Sequence, residues 1–267
     1  MNATSDDGST RLLNKVPPIT LCFWVIKMMA TTVGESTADF LNARLGLGPT
    51  DTFLLMGDLL IVALTGQLLS RRYVPWGYWL VVVLISVVAS LFTDTITDHL
   101  SVPLEVSTVA LGMALAVIFA AWRAMEKTLS IRSILTVRQE TFYWTAVFLT
   151  FALGTVAADY LSEILGLDYR HATLLCGAAI ALVALARYFW RMNAMLAFWI
   201  VYVLTRPFGA SFGDLLSQSA SHGGLGWGVR YTNAIFFTVI VLLIAYLTAV
   251  GRRATSVADP DSRITPE

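Results

Sequence analysis

An aromatic residue followed by Trp, with an Asp fifteen residues beyond the Trp, occurs four times in this chain: Phe23-Trp24…Asp39, Tyr78-Trp79…Asp94, Tyr143-Trp144…Asp159 and Phe198-Trp199…Asp214. Ten residues after each Trp stands a small residue, Gly34, Ala89, Gly154 and Gly209. The Trp residues are 55, 65 and 55 positions apart, so the two halves of the chain repeat at 120. Trp and Asp are both uncommon in apolar segments, and one separation held four times marks a fourfold internal repeat. A repeat of this kind dictates architecture before any other feature is weighed.

Of the 267 residues, 57% are hydrophobic and only 13% charged, too apolar a balance for a soluble domain of this length. The apolar runs are long enough to cross a bilayer, which takes about 20 helical residues. Eight spans are expected, at about 19–41, 52–70, 77–98, 103–123, 141–163, 171–190, 196–217 and 230–250. Pro207 falls inside the seventh and is expected to kink it. With two spans each, all repeats enter the membrane from the same side, related by an axis along the membrane normal. The expected fold is therefore all-α: a polytopic membrane protein of eight transmembrane helices from four parallel two-helix repeats. The repeats fall at roughly 15–72, 73–125, 139–191 and 192–252, in one transmembrane domain over 15–252. Polar segments at 1–14 and 253–267 read as disordered tails. No cleavable signal peptide stands out, and the first span is expected to target the chain.

Basic residues cluster in alternate loops. Arg11 and Lys15 precede span 1, Arg71 and Arg72 link spans 2 and 3, and Arg123, Lys127, Arg132 and Arg138 link spans 4 and 5. Arg187 and Arg191 lie between spans 6 and 7, and Arg252 and Arg253 follow span 8. The positive-inside rule then puts both termini in the cytoplasm. Each Trp comes near the cytoplasmic interface, with its Asp about 22 Å further out. Trp24, Trp79, Trp144 and Trp199 are expected to act as interface anchors, the usual place of amphipathic rings. The small residue ten positions on is expected to allow close helix packing.

An ionisable residue in a span is costly and points to function by default. If the repeats surround a common axis, Asp39, Asp94, Asp159 and Asp214 arrive at one depth on equivalent faces. Like charges held close cannot all stay ionised, so such a group binds protons or a cation. The competing reading is that each Asp caps a neighbouring helix or bonds a local Ser or Thr. Further acids load the first repeat: Glu35 shares a helical face with Asp39, and Asp58 is expected near the depth of Glu35. In the third repeat these two positions become Thr155 and Ala178, so a repeated frame carries an unequal charge. Two cations lie deeper, Lys27 in span 1 and Arg206 in span 7. Each is a candidate counter-ion or gate; for Lys27 the alternative is to snorkel or to pair with a nearby acid.

Other chemistries lack their residues. Cys22 and Cys176 fit no CxxC pattern and read as small apolar packing residues. His99, His171 and His222 fall in or beside outer loops, and hard oxygen donors without Cys clusters argue against zinc, copper or haem. A divalent cation is the one candidate cofactor, its ligands unspecified. His222-Gly223-Gly224-Leu225-Gly226-Trp227-Gly228 neither follows a strand nor opens a phosphate-binding helix, so nucleotide binding is not expected. No nucleophile with its base can be picked out, which argues against an enzyme. The basic residues read as topology, not as a nucleic-acid surface.

The opening Lys15-Val16-Pro17-Pro18-Ile19-Thr20…Phe23-Trp24-Val25-Ile26-Lys27…Thr31-Thr32-Val33-Gly34-Glu35…Asp39-Phe40-Leu41 resembles a family of uncharacterised bacterial membrane proteins. Its members have four tandem repeats, each with two transmembrane regions and a characteristic Trp. The resemblance covers roughly 15–250 and implies a multi-pass protein of the bacterial inner membrane; it supplies no substrate. The residues themselves lead to a secondary transporter or carrier of a small cation, a divalent metal or a proton-coupled solute. Its partners would be the lipid bilayer and that cation or solute. Glu35, Asp39 and Asp58 would form the core of the site, with Asp94, Asp159 and Asp214 completing it. The alternative is a non-transporting scaffold or sensor whose acids are structural.

Overall fold

Among the described residues, the apolar runs between the Pro, Gly and Asn turns fold as eight α-helices. A computed structural model describes residues 15–41, 48–70, 73–131 and 134–258, apart from the side chains of His222 and 252–258. The helices are α1 (Leu21–Asp39), α2 (Pro49–Leu69), α3 (Pro75–Asp94), α4 (Leu104–Glu126), α5 (Val137–Asp159), α6 (Tyr169–Phe189), α7 (Ala194–Ser217) and α8 (Val229–Ala258). The expected tail at 1–14 and the basic residues Arg71, Arg72 and Arg132 lie outside the described residues, as does 259–267. Helix α8 runs on to Ala258, so the C-terminal tail expected from 253 is helical over its first six residues.

Helix starts follow local chemistry. Pro49 and Pro75 take the first position of α2 and α3, where a missing N–H costs nothing. Thr136 and Gln139 form a reciprocal capping box at the start of α5. Asn193 caps α7, accepting from Met195 N at 2.8 Å. Pro207 is accommodated, buried, inside an α7 that continues to Ser217. Just past the repeat Asp, α3 and α5 pass into single π-helical turns, Thr95–His99 and Tyr160–Ile164. Such turns are rare and gather at functional sites.

Seven of the eight helices are long and apolar enough to cross a membrane. The eighth, α1, falls outside that set because it carries Lys27, Glu35 and a run of Thr and Ser. Its position makes this tolerable. Helices α1, α3, α5 and α7 pack each on the next, and α7 closes back on α1. The outer helices follow the same cycle one step ahead: α2 packs on α3, α4 on α5, α6 on α7, and α8 on α1. The result is a fourfold pseudo-symmetric ring inside a ring. Outer helices leave rows of Leu, Val and Phe exposed, such as Leu54, Val62, Val117, Leu182 and Phe237, as a lipid-facing surface requires.

In lipid the inner helices gain little from apolar burial and rely on close packing. The small residue of each repeat supplies it. A Cβ added to Gly34 would stand 2.3 Å from Ser86 Oγ, one on Gly154 2.5 Å from Arg206 Cβ, and one on Gly209 2.8 Å from the Met28 carbonyl oxygen. Ser86, Arg206 and Thr31 all occupy the position seven residues after a Trp. The same knob therefore meets the same hole from one repeat to the next.

The aromatic–Trp pairs correct an expectation. Trp79, Trp144 and Trp199 are buried, at 1%, 3% and 4% exposure, and Trp24 is half-buried, so they are not headgroup anchors. Instead the aromatic residue before each Trp packs on the Trp of a neighbouring repeat. The ring centroids are 5.5 Å apart for Phe23–Trp79, 5.2 Å for Tyr78–Trp144, 6.2 Å for Tyr143–Trp199 and 5.5 Å for Phe198–Trp24. These eight rings form a closed girdle across one end of the bundle. Each contact of this kind is worth roughly 0.5–1.5 kcal/mol beyond the area it buries.

Candidate functional site

Beyond the girdle, the axis of the inner ring becomes polar. Arg206 is fully buried there and is held by every other repeat. Its Nε donates to Thr155 Oγ1 at 3.1 Å, and one terminal nitrogen donates to Ser90 Oγ at 2.5 Å. The other donates to the Thr31 carbonyl at 3.2 Å and to Glu35 Oε2 at 3.0 Å. Glu35, Ser90 and Thr155 are the same repeat position, eleven residues after the Trp. A planar cation with a fixed fork of donors suits three acceptors arriving from three directions.

Lys27 lies nearer the girdle, at 1% exposure. It does not snorkel, and among the described residues it pairs with no acid. Its Nζ donates to the Tyr202 carbonyl at 2.9 Å and to Thr205 Oγ1 at 2.7 Å. It also stands over the rings of Tyr202 and Phe151, 4.1 Å and 4.6 Å from their centroids. The aromatic faces take the place of a counter-ion. The hydroxyls of Tyr78 and Tyr143 meet at 2.5 Å among the same rings.

Asp39, Asp94, Asp159 and Asp214 all fall within electrostatic range of both the Glu35 carboxylate and the Arg206 guanidinium. Asp94 also feels Asp39, and Asp159 feels Asp94. All four acids thus sense one ion pair. Asp94 and Asp159 share a pocket of about 480 Å³ with Asp98, Glu105 and Glu163, so five carboxylates line one opening. Glu35 faces the same end with its side chain 31% exposed, whereas the Arg206 side chain is at 1%. Among the described residues, no hydrogen bond or ion pair holds the carboxylates of Asp39, Asp94 or Asp159 (as a local structural role would require).

Asp58 does not join them: it is exposed on the outer helix α2. Nor is there, among the described residues, any group of three or more His, Cys, Asp and Glu side chains arranged to hold a metal ion. His99 and His171 are exposed, the latter against Asp168 at 2.5 Å. Sequence reasoning missed the acceptors of Arg206, although their shared repeat position was a usable signal. It also missed a buried pair at the girdle end, Lys15 Nζ to Glu140 Oε2 at 2.7 Å, which joins residues 125 apart and leaves no local pattern.

Four consecutive segments, 22–73, 77–128, 142–193 and 197–253, match the family model described as Repeat of Unknown Function (DUF347). The chain belongs to that repeat family. Each match begins two residues before a motif Trp and takes in one inner and one outer helix, the unit that the cyclic packing defines. No curated protein and no solved structure matches the chain.

Proposed function

We propose that this DUF347 protein is a membrane carrier of a small cation, with protons or a proton-coupled solute favoured over a chelated metal. The observation that carries the reading is the set of carboxylates with no bond among the described residues, Asp39, Asp94 and Asp159, which with Asp214 feel the charges of Glu35 and Arg206. Acids that accept no bond from their own chain are free to exchange a cation with water. The five-carboxylate pocket would draw cations in, since a cleft of one charge sign concentrates its counter-ions. Arg206 would act as the counter-ion and barrier: a fixed positive charge beyond the acids, partly offset by Glu35, keeps a cation from passing further along the axis. The Lys27 cage and the aromatic girdle would close the far side. The family resemblance supports a place in the bacterial inner membrane, and the clustering of basic residues in alternate loops supports the girdle end facing the cytoplasm.

Purified protein in lipid vesicles under an imposed potential tests this with an internal pH dye and with added metal ions. Flux should be lost in Asp94→Asn, Asp159→Asn and Glu35→Gln while the melting temperature in detergent stays near that of the wild type. Equal flux in wild type and variants would remove the acids from any transport path. A second reading, a scaffold or sensor, draws on Arg206, which ties all four repeats as a purely structural node would. It requires that Asp→Asn at all four positions lower the melting temperature about equally and that no flux be measured.

A further inference from the structure

The fourfold ring has equivalent seams between consecutive inner helices, each flanked by the outer helix of the preceding repeat, and these seams are not filled alike. At the α2–α3–α5 seam the chain closes the girdle end itself. Val16 and Lys15 are buried there, and Lys15 Nζ donates to the Leu68 carbonyl at 3.0 Å and to Glu140 Oε2 at 2.7 Å. The rotationally equivalent seam, between α6, α7 and α1, holds an open groove of about 510 Å³. Its walls are apolar, built from residues such as Val25, Met28, Val183 and Phe208, with Trp24 on one side and Arg187 at its end. The asymmetry shows in the motif itself: Trp24 is half-buried where its three repeat mates are buried.

We propose that this groove binds an anionic phospholipid, one acyl chain lying along it and the phosphate on Arg187. The closed seam carries its own anion and cation, Glu140 and Lys15, at the end of the bundle. The open one presents an exposed Arg187 in the last turn of a 21-residue span, with no carboxylate partner among the described residues. A basic side chain at the end of a membrane-crossing helix stands at phosphate level, and the groove beside it runs into the hydrocarbon layer. A molecule with an apolar tail and an anionic head replaces what the chain supplies elsewhere. The repeat reinforces the assignment. A second groove, of about 470 Å³, pairs Trp199 with Arg123 at the end of α4, the counterpart of Trp24 and Arg187. This inference does not depend on the carrier reading.

The test reconstitutes the full chain in phosphatidylcholine vesicles containing increasing mole fractions of brominated-chain phosphatidylglycerol or, in a parallel series, brominated-chain phosphatidylcholine. Bromine quenches Trp fluorescence on contact, and the difference between wild type and Trp24→Phe isolates the Trp24 signal. That signal should be quenched at about fivefold lower mole fraction of the anionic lipid, the preference one basic residue at the surface supplies. Arg187→Gln should abolish the preference and Arg187→Lys should keep it. Equal quenching by both lipids, a preference that survives in Arg187→Gln, or no Trp24 quenching by either lipid would overturn the proposal.

Discussion

Replacing Arg206 with Met tests whether the inner ring is held at one point. The substitution keeps length and apolar bulk but removes four hydrogen bonds to three other helices, those to Thr31, Glu35, Ser90 and Thr155. Hydrogen bonds between helices in lipid average roughly 0.6 kcal/mol, with a ceiling near 1.7. Four of them set a lower figure of about 2.5 kcal/mol. Bonds from a charged donor in water-excluded surroundings run higher, roughly 1.5–3 kcal/mol each. Two effects pull the other way. Met relieves the desolvation of a buried guanidinium, and Glu35 is 31% exposed, so its freed carboxylate can be hydrated. A loss of about 3 kcal/mol is the expected balance. Arg206→Lys should fall between the two, because an ammonium cannot reach acceptors on three sides at once. Equilibrium unfolding by sodium dodecyl sulfate in mixed micelles, followed by Trp fluorescence, measures both. An Arg206→Met protein within 0.5 kcal/mol of the wild type would refute the idea that this side chain ties the repeats together, whatever the fate of transport.

Two further outcomes follow from the geometry. Gly209→Ala should cost about 1–3 kcal/mol through overpacking, since the new methyl group would meet the backbone oxygen of Met28 at 2.8 Å. Gly112→Ala, on the outer helix α4 with open space around it, should be neutral or slightly stabilising, and a shift in the same unfolding assay as large as that of Gly209→Ala would contradict the packing argument. Asp168 caps α6 outside the span. The His171 backbone N–H donates to it and, with the His171 ring, holds its carboxyl below the ordinary value of 3.8. A depressed folded-state value means that this cap is at full strength above the ordinary value and is lost as the pH falls through the folded one. Amide exchange in the first turn of α6, relative to its intrinsic rate at each pH, should therefore quicken only below about pH 4. Relative quickening already at pH 6 would refute the Asp168 cap as its cause.

The limits of sequence reasoning show in particular residues. The repeat period and the two-helix unit were legible because one spacing recurs four times along apolar helical runs. Glu35, Asp94 and Asp159 could be singled out by cost alone, since a carboxylate in an apolar run is expensive. Asp58 was misjudged because spacing along a helix does not give direction: it sits exposed on an outer helix. The Trp residues were misjudged for a similar reason. Their position near helix ends fits an interface anchor and a core girdle equally well, and only the neighbour across the ring decides between them.

The sequence by itself determined that there are four copies of one unit, that they are helical and membrane-sized, and where along each helix the charges stand. Those properties are local, set by periodicity and by transfer cost residue by residue. Only the tertiary structure decided that the copies close into a ring, that each outer helix packs on the following repeat, and that Arg206 rather than an Asp occupies the centre. Closure is a contact between the first and last repeats, α1 against α7, and bonds such as Lys27 to Tyr202 link residues 175 apart. Contacts of that separation are selected by how surfaces fit once all four units are present, and no stretch of the chain encodes them alone.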